Sequence, residues 1–293
     1  MNLNLQDYSF MQKMSEMGKV PYKIDEKNKK VEKYGDVALH FDAKLLAEYL
    51  KKIGISRGII HKEGIVEKIV QDENFYVTDI VTNKEAIECD FIFDCSGFKR
   101  LLIGNYLNRK WITHSHRLPA KKAVPFFLKM DLKIPPYTEA IAMDYGWMWK
   151  IPLQHRYGCG YVYDSDFISD EQAINEIETY LGYQPDYPRQ VKGAFNFSAG
   201  YFEEIWYKNV LAIGLASGFV EPLEATSIMQ TIILLRRFFS DYNNLNTQNE
   251  TIKNRFNLLY RKETNEILDF LYLHYLTKKT NTLFWANFME NNP

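Results

Sequence analysis

Residues 209–228 read NVLAIGLASGFVEPLEATSI. A short β-rich run gives way to a segment with glycines at 214 and 218. A proline corner flanked by Glu221 and Glu224 follows, and then the helix-forming run TSIMQTIILLRRFF. Strand, glycine turn and helix in succession is how an open α/β sheet admits a ligand at the end of a buried strand. A second stretch repeats the first half of this pattern: DFIFDCSGF, residues 90–98, is a buried-type strand with a glycine just beyond it. The two stretches together predict an α/β fold in which the strand ending at Asp94 and the strand before Gly214 converge on one crevice.

Composition narrows what that crevice can serve. Lysine and arginine number 36 against 37 aspartate and glutamate, so the chain has no basic field of the kind that holds nucleic acid or an anionic membrane surface. The opening MNLNLQDYSF has neither a basic n-region nor an apolar h-region, and no window nears the roughly 18 apolar residues of a membrane span. The chain reads as cytoplasmic. Its three cysteines, Cys89, Cys95 and Cys159, are odd in number and far apart, the pattern of reduced, buried thiols.

Outside the crevice, KIDEKNKKVEK (23–33) reads as a solvated connection. FDAKLLAEYLKKIG (41–54) predicts an amphipathic helix with Asp42 as N-cap, a stripe of Leu45, Leu46, Tyr49, Leu50 and Ile53, and Gly54 just past its end. Residues 64–95 predict a meander feeding the strand that ends at DCSG. A second region, 119–207, carries proline breaks at 133–138 and 183–188, aromatic strands GWMWKIPL and YGCGYVY, and the helix SDEQAINEIETYLG. That helix has a capping box of Ser169 and Gln172 and a stripe of Ala173, Ile174, Ile177, Tyr180 and Leu181 before Gly182. The helix after Glu224 is apolar nearly all round and is expected to be buried. Residues 252–276 predict a last long helix.

Several motifs are excluded. The one G-x-G, Gly158 to Gly160, has Tyr163 where a dinucleotide fingerprint needs its third glycine, and GLASG has the wrong spacing for a serine elbow. His114 and His116 lack a third ligand at useful spacing and read as a loop pair, without a metal. His40 and His274 read as satisfied core histidines.

Two constellations remain. In YGWMWKIP (145–152), residues two apart share a strand face, so Trp147 and Trp149 form one indole surface while Met148 and Lys150 face away and Pro152 ends the pairing. The pair reads either as sheet packing or as a specific wall. At GFVEPLEATS, Thr226 or Ser227 is the expected N-cap, Ser227 with Gln230 forming a capping box, so that free N–H groups and the positive end of the helix dipole could hold an anion. Glu221 and Glu224 read either as candidate bases or as partners of that dipole.

These stretches resemble the flavin-dependent halogenases of the tryptophan halogenase family. WMWKIP is similar to the family's W-x-W-x-I-P element, FDCSGFKRLL to its D-C-S-G-F turn, and NVLAIGLASGFVEPLEATSI to its glycine-rich segment ending in P-L-E-[SA]-T. ALHFDAKLLAEYL, LDFLYLHY and LFWANF also match, so the likeness spans about Tyr34 to Phe288. The resemblance implies an FAD-dependent monooxygenase-like, Rossmann-type α/β fold with an antiparallel-sheet region and C-terminal helices. It divides the chain into FAD-domain parts at 34–118 and 205–240, a substrate-side sheet at 119–204 and a helical part at 241–293. It implies reduced FAD supplied by a separate flavin reductase, O₂, a chloride or bromide ion and a small electron-rich, indole-like substrate, in a chain that could pair as a homodimer.

By motif, Glu224 is the acidic group at the substrate end, and Thr226 and Ser227 stand where the halide is held. Ser96, Gly97, Gly214 and Gly218 lie against FAD, and Trp147 and Trp149 beside the flavin, where they disfavour ordinary monooxygenation. Ala225 and Ser227 depart from the serine and glycine of the best-known tryptophan enzymes, so free tryptophan is not carried over as the substrate. The family's N-terminal G-x-G-x-x-G turn and reactive lysine have no counterpart in the sequence, and Lys150, inside W-x-W-x-I-P, does not match that lysine. The reading is therefore of a truncated, middle portion of a halogenase, expected neither to bind FAD tightly nor to halogenate by itself. A related FAD-dependent monooxygenase or reductase, and an inert fragment or subunit needing a separate N-terminal piece, stand beside it as alternatives.

Overall fold

The computed structural model describes residues 9–130, 133–182, 193–241, 249–277 and 279–291; the proline break at 183–188 lies outside the described residues. The chain runs through α1 (Phe10–Glu16), β1 (Tyr22–Asp25), β2 (Lys30–Lys33), α2 (Ala43–Ser56), β3 (Val66–Gln71), β4 (Val77–Thr82), β5 (Ala86–Glu88), β6 (Ile92–Asp94) and β7 (Trp111–Thr113). It continues with β8 (Lys122–Leu128), β9 (Glu139–Ala142), β10 (Gly146–Pro152), β11 (Tyr157–Tyr163) and α3 (Asp170–Leu181). The last part holds β12 (Phe195–Asn196), β13 (Gly200–Phe202), β14 (Trp206–Tyr207), β15 (Val210–Ala212), β16 (Gly218–Phe219), α4 (Thr226–Asp241), α5 (Glu250–Tyr275) and α6 (Leu283–Asn291). Two compact units share these elements. One gathers Met1–Ile60, Ala123–Val162 and Ser169–Ala194; the other His61–Lys122, Tyr163–Ile168 and Phe195–Pro293.

In the first unit, β8, β11, β10 and β9 lie in that order in one sheet. Strand β10 pairs antiparallel with β9, setting Trp147 opposite Ala142 and Trp149 opposite Ala140. On its other side a β-carbon at Gly160 would stand 2.0 Å from the Trp149 ring. Two alanines and a glycine thus make room for two indoles, whose centroids lie 6.0 Å apart at 55°. Met148 on the opposite face is fully buried. Lys150 pairs across strands with Glu139 at 3.3 Å and lies 4.4 Å over the Tyr157 ring. Helix α3 is started by the anticipated Ser169–Gln172 capping box and stopped by Gly182 at φ 67°. It is tied to the β9–β10 turn through Glu176, which accepts from the Asp144 N–H at 2.6 Å and from the buried Tyr161 hydroxyl at 2.7 Å.

Several expectations for this unit are corrected. KIDEKNKKVEK is a hairpin, Ile24 opposite Val31, because the Asp25 carboxylate accepts from the N–H groups of Lys27 and Asn28 and closes the turn. Asp42 does cap α2, but the helix passes Gly54 and runs to Ser56; Gly54 lets Ile59 fold back to 3.2 Å from the position a β-carbon would take. Leu45, Tyr49 and Leu50 of its stripe are exposed, as is Tyr180 of α3. His40 is exposed too, its ring nitrogens 3.0 Å from the Pro152 carbonyl and 3.2 Å from the Thr138 hydroxyl.

In the second unit, β3, β4 and β5 form the expected meander and β6 pairs in parallel with β15. Two buried asparagines join the layers. Asn209 accepts from the Val77 N–H and donates to the carbonyls of Val77 and Asp90, tying the meander to β15. Asn257 of α5 accepts from the N–H groups of Ile205 and Trp206 and donates to the Trp206 carbonyl, taking the place of a neighbouring strand for β14. Phe238 of α4 packs on Phe91, Phe93 and Trp206 with ring centroids about 5 Å apart. Burial of α4 is one-sided, however: Leu234 and Phe238 are covered while Ile228, Met229, Ile232 and Phe239 are exposed. Among the thiols Cys159 is buried, and burial pushes it up to about 12, whereas Cys95 is exposed; none of the three forms a disulfide. No helix among the described residues is long and apolar enough to cross a membrane.

Gly160→Ala tests the indole seat. The added methyl meets a rigid ring, so the expected cost is about 1–3 kcal/mol of stability with a shift in tryptophan fluorescence, measured by denaturant unfolding. An unchanged midpoint and spectrum would mean that Trp149 moves aside freely.

Candidate active site

The second unit brings the two glycine turns together. Strand β6 pairs with β15 in the register Ile92–Val210, Phe93–Leu211 and Asp94–Ala212, and the Ile213 N–H extends the ladder to the Asp94 carbonyl at 3.0 Å. Both strands end at the same level, so the turns at Gly97 and Gly214 sit side by side. Gly97 has φ 67° and Gly214 φ 62°, left-handed values that disfavour any residue with a β-carbon. Open space lies where the Gly97 side chain would be.

The first turn is organised by Asp94, which is 3% exposed. Its carboxylate accepts from the N–H groups of Ser96, Leu102 and Ile103, each at 3.0 Å. The Ser96 hydroxyl accepts from the Leu101 N–H at 2.7 Å. These contacts fold residues 94–103 back on themselves and force Arg100 into the left-handed region at φ 49°. Its guanidinium lies 3.4 Å over the Trp111 ring, and burial holds it below its usual pKa. In the second turn the Ser217 hydroxyl donates to the Gly214 carbonyl at 2.8 Å. Gly218 is small for a different reason: a β-carbon there would meet the Tyr260 hydroxyl at 2.6 Å and Tyr201 at 2.7 Å.

After β16 comes the proline corner. Glu221 is fully buried at φ 68° and Ala225 stands at φ 51°, so two residues with β-carbons take left-handed conformations within five positions. The corner is held from α5. Tyr275 donates its hydroxyl to Glu221 Oε2 at 2.6 Å, and His274 Nε2 lies 3.0 Å from Glu224 Oε1. His274 is therefore not a core histidine: it is partly exposed and partnered by Glu224 and by the Phe270 carbonyl at 3.0 Å.

Helix α4 begins at Thr226, which places Ser227 inside its first turn, not at its cap. Instead of closing a capping box, Gln230 donates to the Thr264 hydroxyl of α5 at 2.7 Å, and the Ser227 carbonyl accepts from Thr231. Ala225, left-handed, precedes the helix and has no side-chain acceptor to offer its first N–H groups. The Thr226 hydroxyl is buried beside those groups without a hydrogen-bond partner among the described residues. His114 and His116 stand past β7 with ring centroids 5.8 Å apart, His114 stacked on Tyr201 and pushed below its usual pKa by burial. The described residues hold no group of three metal-binding side chains.

Two parallel strands that end together in left-handed glycine turns are the arrangement of an open α/β fold. A family model described as tryptophan halogenase matches residues 1–293, and the chain belongs to that family. It is 32% identical over 255 residues to the tryptophan 6-halogenase SttH of Streptomyces toxytricini, covering 85% of this chain and 48% of that one. It is 32% identical over 259 residues to the tryptophan 7-halogenase RebH of Lentzea aerocolonigenes, covering 86% and 48% respectively. The crystal structure of the Streptomyces toxytricini enzyme superposes with a TM-score of 0.88 at 28% identity, over 98% of this chain and 60% of that one. The chain thus spans about half the length of the curated relatives it matches.

Asp94→Asn tests the organisation of the first turn. The amide has one acceptor oxygen for three donors, so the expected loss is about 2 kcal/mol or more, read as a lowered unfolding midpoint with the fastest hydrogen exchange at Leu102 and Ile103. Wild-type protection at those amides would remove Asp94 from this role.

Proposed function

We propose that the chain forms part of a flavin-dependent halogenase, which uses reduced FAD, O₂ and chloride or bromide to halogenate an electron-rich, indole-like aromatic. The observation that carries the reading is the pairing of the Gly97 and Gly214 turns at the ends of β6 and β15, within the unit that also holds Glu224 and Thr226. The residues present suit the cofactor: the left-handed glycines and the open space at Gly97 provide backbone for close approach. Ser96, Gly97, Gly214 and the backbone around Gly218 would hold FAD. When bound and reduced by a transient flavin reductase, FAD supplies the activation of O₂ that halide oxidation requires. Trp147 and Trp149 share a strand face of β10, and their assignment to the flavin rests on the W-x-W-x-I-P likeness alone.

The chain's own groups account for the remaining tasks. The start of α4, where Ala225 offers the first N–H groups no side-chain acceptor, presents the positive end of the helix dipole and suits a small anion, and the buried Thr226 hydroxyl adds a donor at the same place. Thr226 and the Ser227 amide are therefore assigned to the halide. Halogenation of an aromatic carbon makes a cationic ring that must lose a proton. The Glu224 carboxylate is suited to stabilise that charge and accept the proton.

In flavin-loaded crystals soaked in bromide, anomalous density is expected at Thr226 and Ser227; density elsewhere and none there would sink the halide assignment. In a complete enzyme, Glu224→Gln keeps the volume and removes the base, and a fall in halogenation of roughly 100-fold or more is expected with flavin binding unchanged. Undiminished turnover, followed by chromatography of brominated indole and tryptophan, would reduce Glu224 to a partner of α5.

A further inference from the structure

The corner that carries Glu224 is gripped by two consecutive residues of α5. Glu221 and Glu224 lie three apart on the corner, and Tyr275 and His274 reach them in turn, hydroxyl to Glu221 Oε2 and Nε2 to Glu224 Oε1. Neither contact follows from chain proximity, since 54 and 50 residues separate the partners. The two differ in kind. Glu221 and Tyr275 are both buried, an internal tie that fixes a strained backbone, whereas Glu224 and His274 are partly exposed.

Hydrogen-bond chemistry fixes one proton of the second pair. His274 Nδ1 faces the Phe270 carbonyl, which can only accept, so Nδ1 carries a hydrogen. Nε2 then faces a carboxylate oxygen, and a bond there requires one proton between them, on the imidazole or on the carboxyl. The Phe270 ring closes the other side, edge-on to the imidazole with centroids 4.9 Å apart. A side chain bonded at one nitrogen and packed against a ring has one orientation to offer. Glu224 Oε1 is thereby held, and Oε2 makes no hydrogen bond among the described residues.

We infer that His274 is a positioning residue for the halogenation reaction: held by Phe270, it fixes Glu224 through Oε1 and leaves Oε2 directed to the substrate. This rests on the assignment of Glu224 above and deepens it. Tyr275 anchors the corner and is not part of the reactive pair.

The test separates the two ring nitrogens. Glutamine places its amide nitrogen near Nε2 and asparagine near Nδ1. His274→Gln therefore keeps the donor to Glu224, while His274→Asn keeps only the bond to Phe270. In the intact protein, with flavin reductase, bromide and indole or tryptophan as probes, H274N is expected to lower kcat about tenfold or more, the loss of one hydrogen bond to a charged group, with KM unchanged. H274Q should restore kcat to within about threefold of the unmodified protein. Equal rates for H274N and H274Q, or an effect confined to KM, would overturn the inference.

A second measurement needs no turnover. In ¹⁵N-histidine spectra His274 should show Nδ1 protonated, and Glu224→Gln should move its Nε2 resonance. An unmoved resonance shows that the contact does not exist in solution and ends the proposal. If E224Q moves the resonance yet leaves turnover intact, the role of Glu224 fails and that of His274 with it. If E224Q is inactive while H274N is fully active, the role of Glu224 stands and the inference alone fails.

Discussion

The carboxylate of Asp94 is the constraint on which the pairing of the two glycine turns depends. It sits at the last residue of β6, buried, and collects three backbone N–H groups that the sharp reversal at 95–103 would otherwise leave without partners. Burying an unpaired N–H is costly, so the reversal exists only because one acceptor serves all three donors. That reversal puts Gly97 beside Gly214. Its backbone carbonyl meanwhile receives the Ile213 N–H, so one residue both ends its own strand and registers the neighbouring one.

From that point the elements are built outward by similar devices. Asn209 and Asn257 each present an amide to three backbone groups and replace ladder bonds where no further strand pairs. Helix α5 is the common support. It holds β14 through Asn257, α4 through the bidentate Arg237–Glu263 pair and Gln230–Thr264, and the proline corner through His274 and Tyr275. The corner needs that support because Glu221 and Ala225 both occupy left-handed backbone, which local sequence disfavours. In the other unit the same economy is steric. Ala140, Ala142 and Gly160 surround the indoles with the smallest residues, so the large rings fit without strain.

Much of this was legible in residue order. The strand and glycine-turn pairs, the meander, the shared face of Trp147 and Trp149, the α3 capping box and the Asp42 cap all follow from local periodicity and turn chemistry, which act within a few residues. The family likeness adds the roles proposed for Glu224, Thr226 and the glycines. Where local reading failed, a partner distant in sequence had intervened. Gln230 leaves its expected capping box for Thr264, and His274 leaves the core for Glu224. The hairpin at 22–33 was missed for another reason: its signal is one aspartate closing a turn, with no buried face to give an alternating pattern.

The sequence by itself determined which segments are strands and helices, where the glycine turns fall, and that the chain belongs with halogenases, because these are properties of short windows and of ordered motifs. Only the tertiary structure decided which turns meet, which glycine is small for backbone conformation and which for packing, and which side chains hold the glutamates. Gly97 and Gly218 look alike in the sequence. One needs a left-handed backbone facing open space; the other is pressed against Tyr260 and Tyr201. The grip of His274 and Tyr275 on the corner likewise joins residues about fifty positions apart. A contact of that length is set by how α5 packs, and packing is a property of the whole unit.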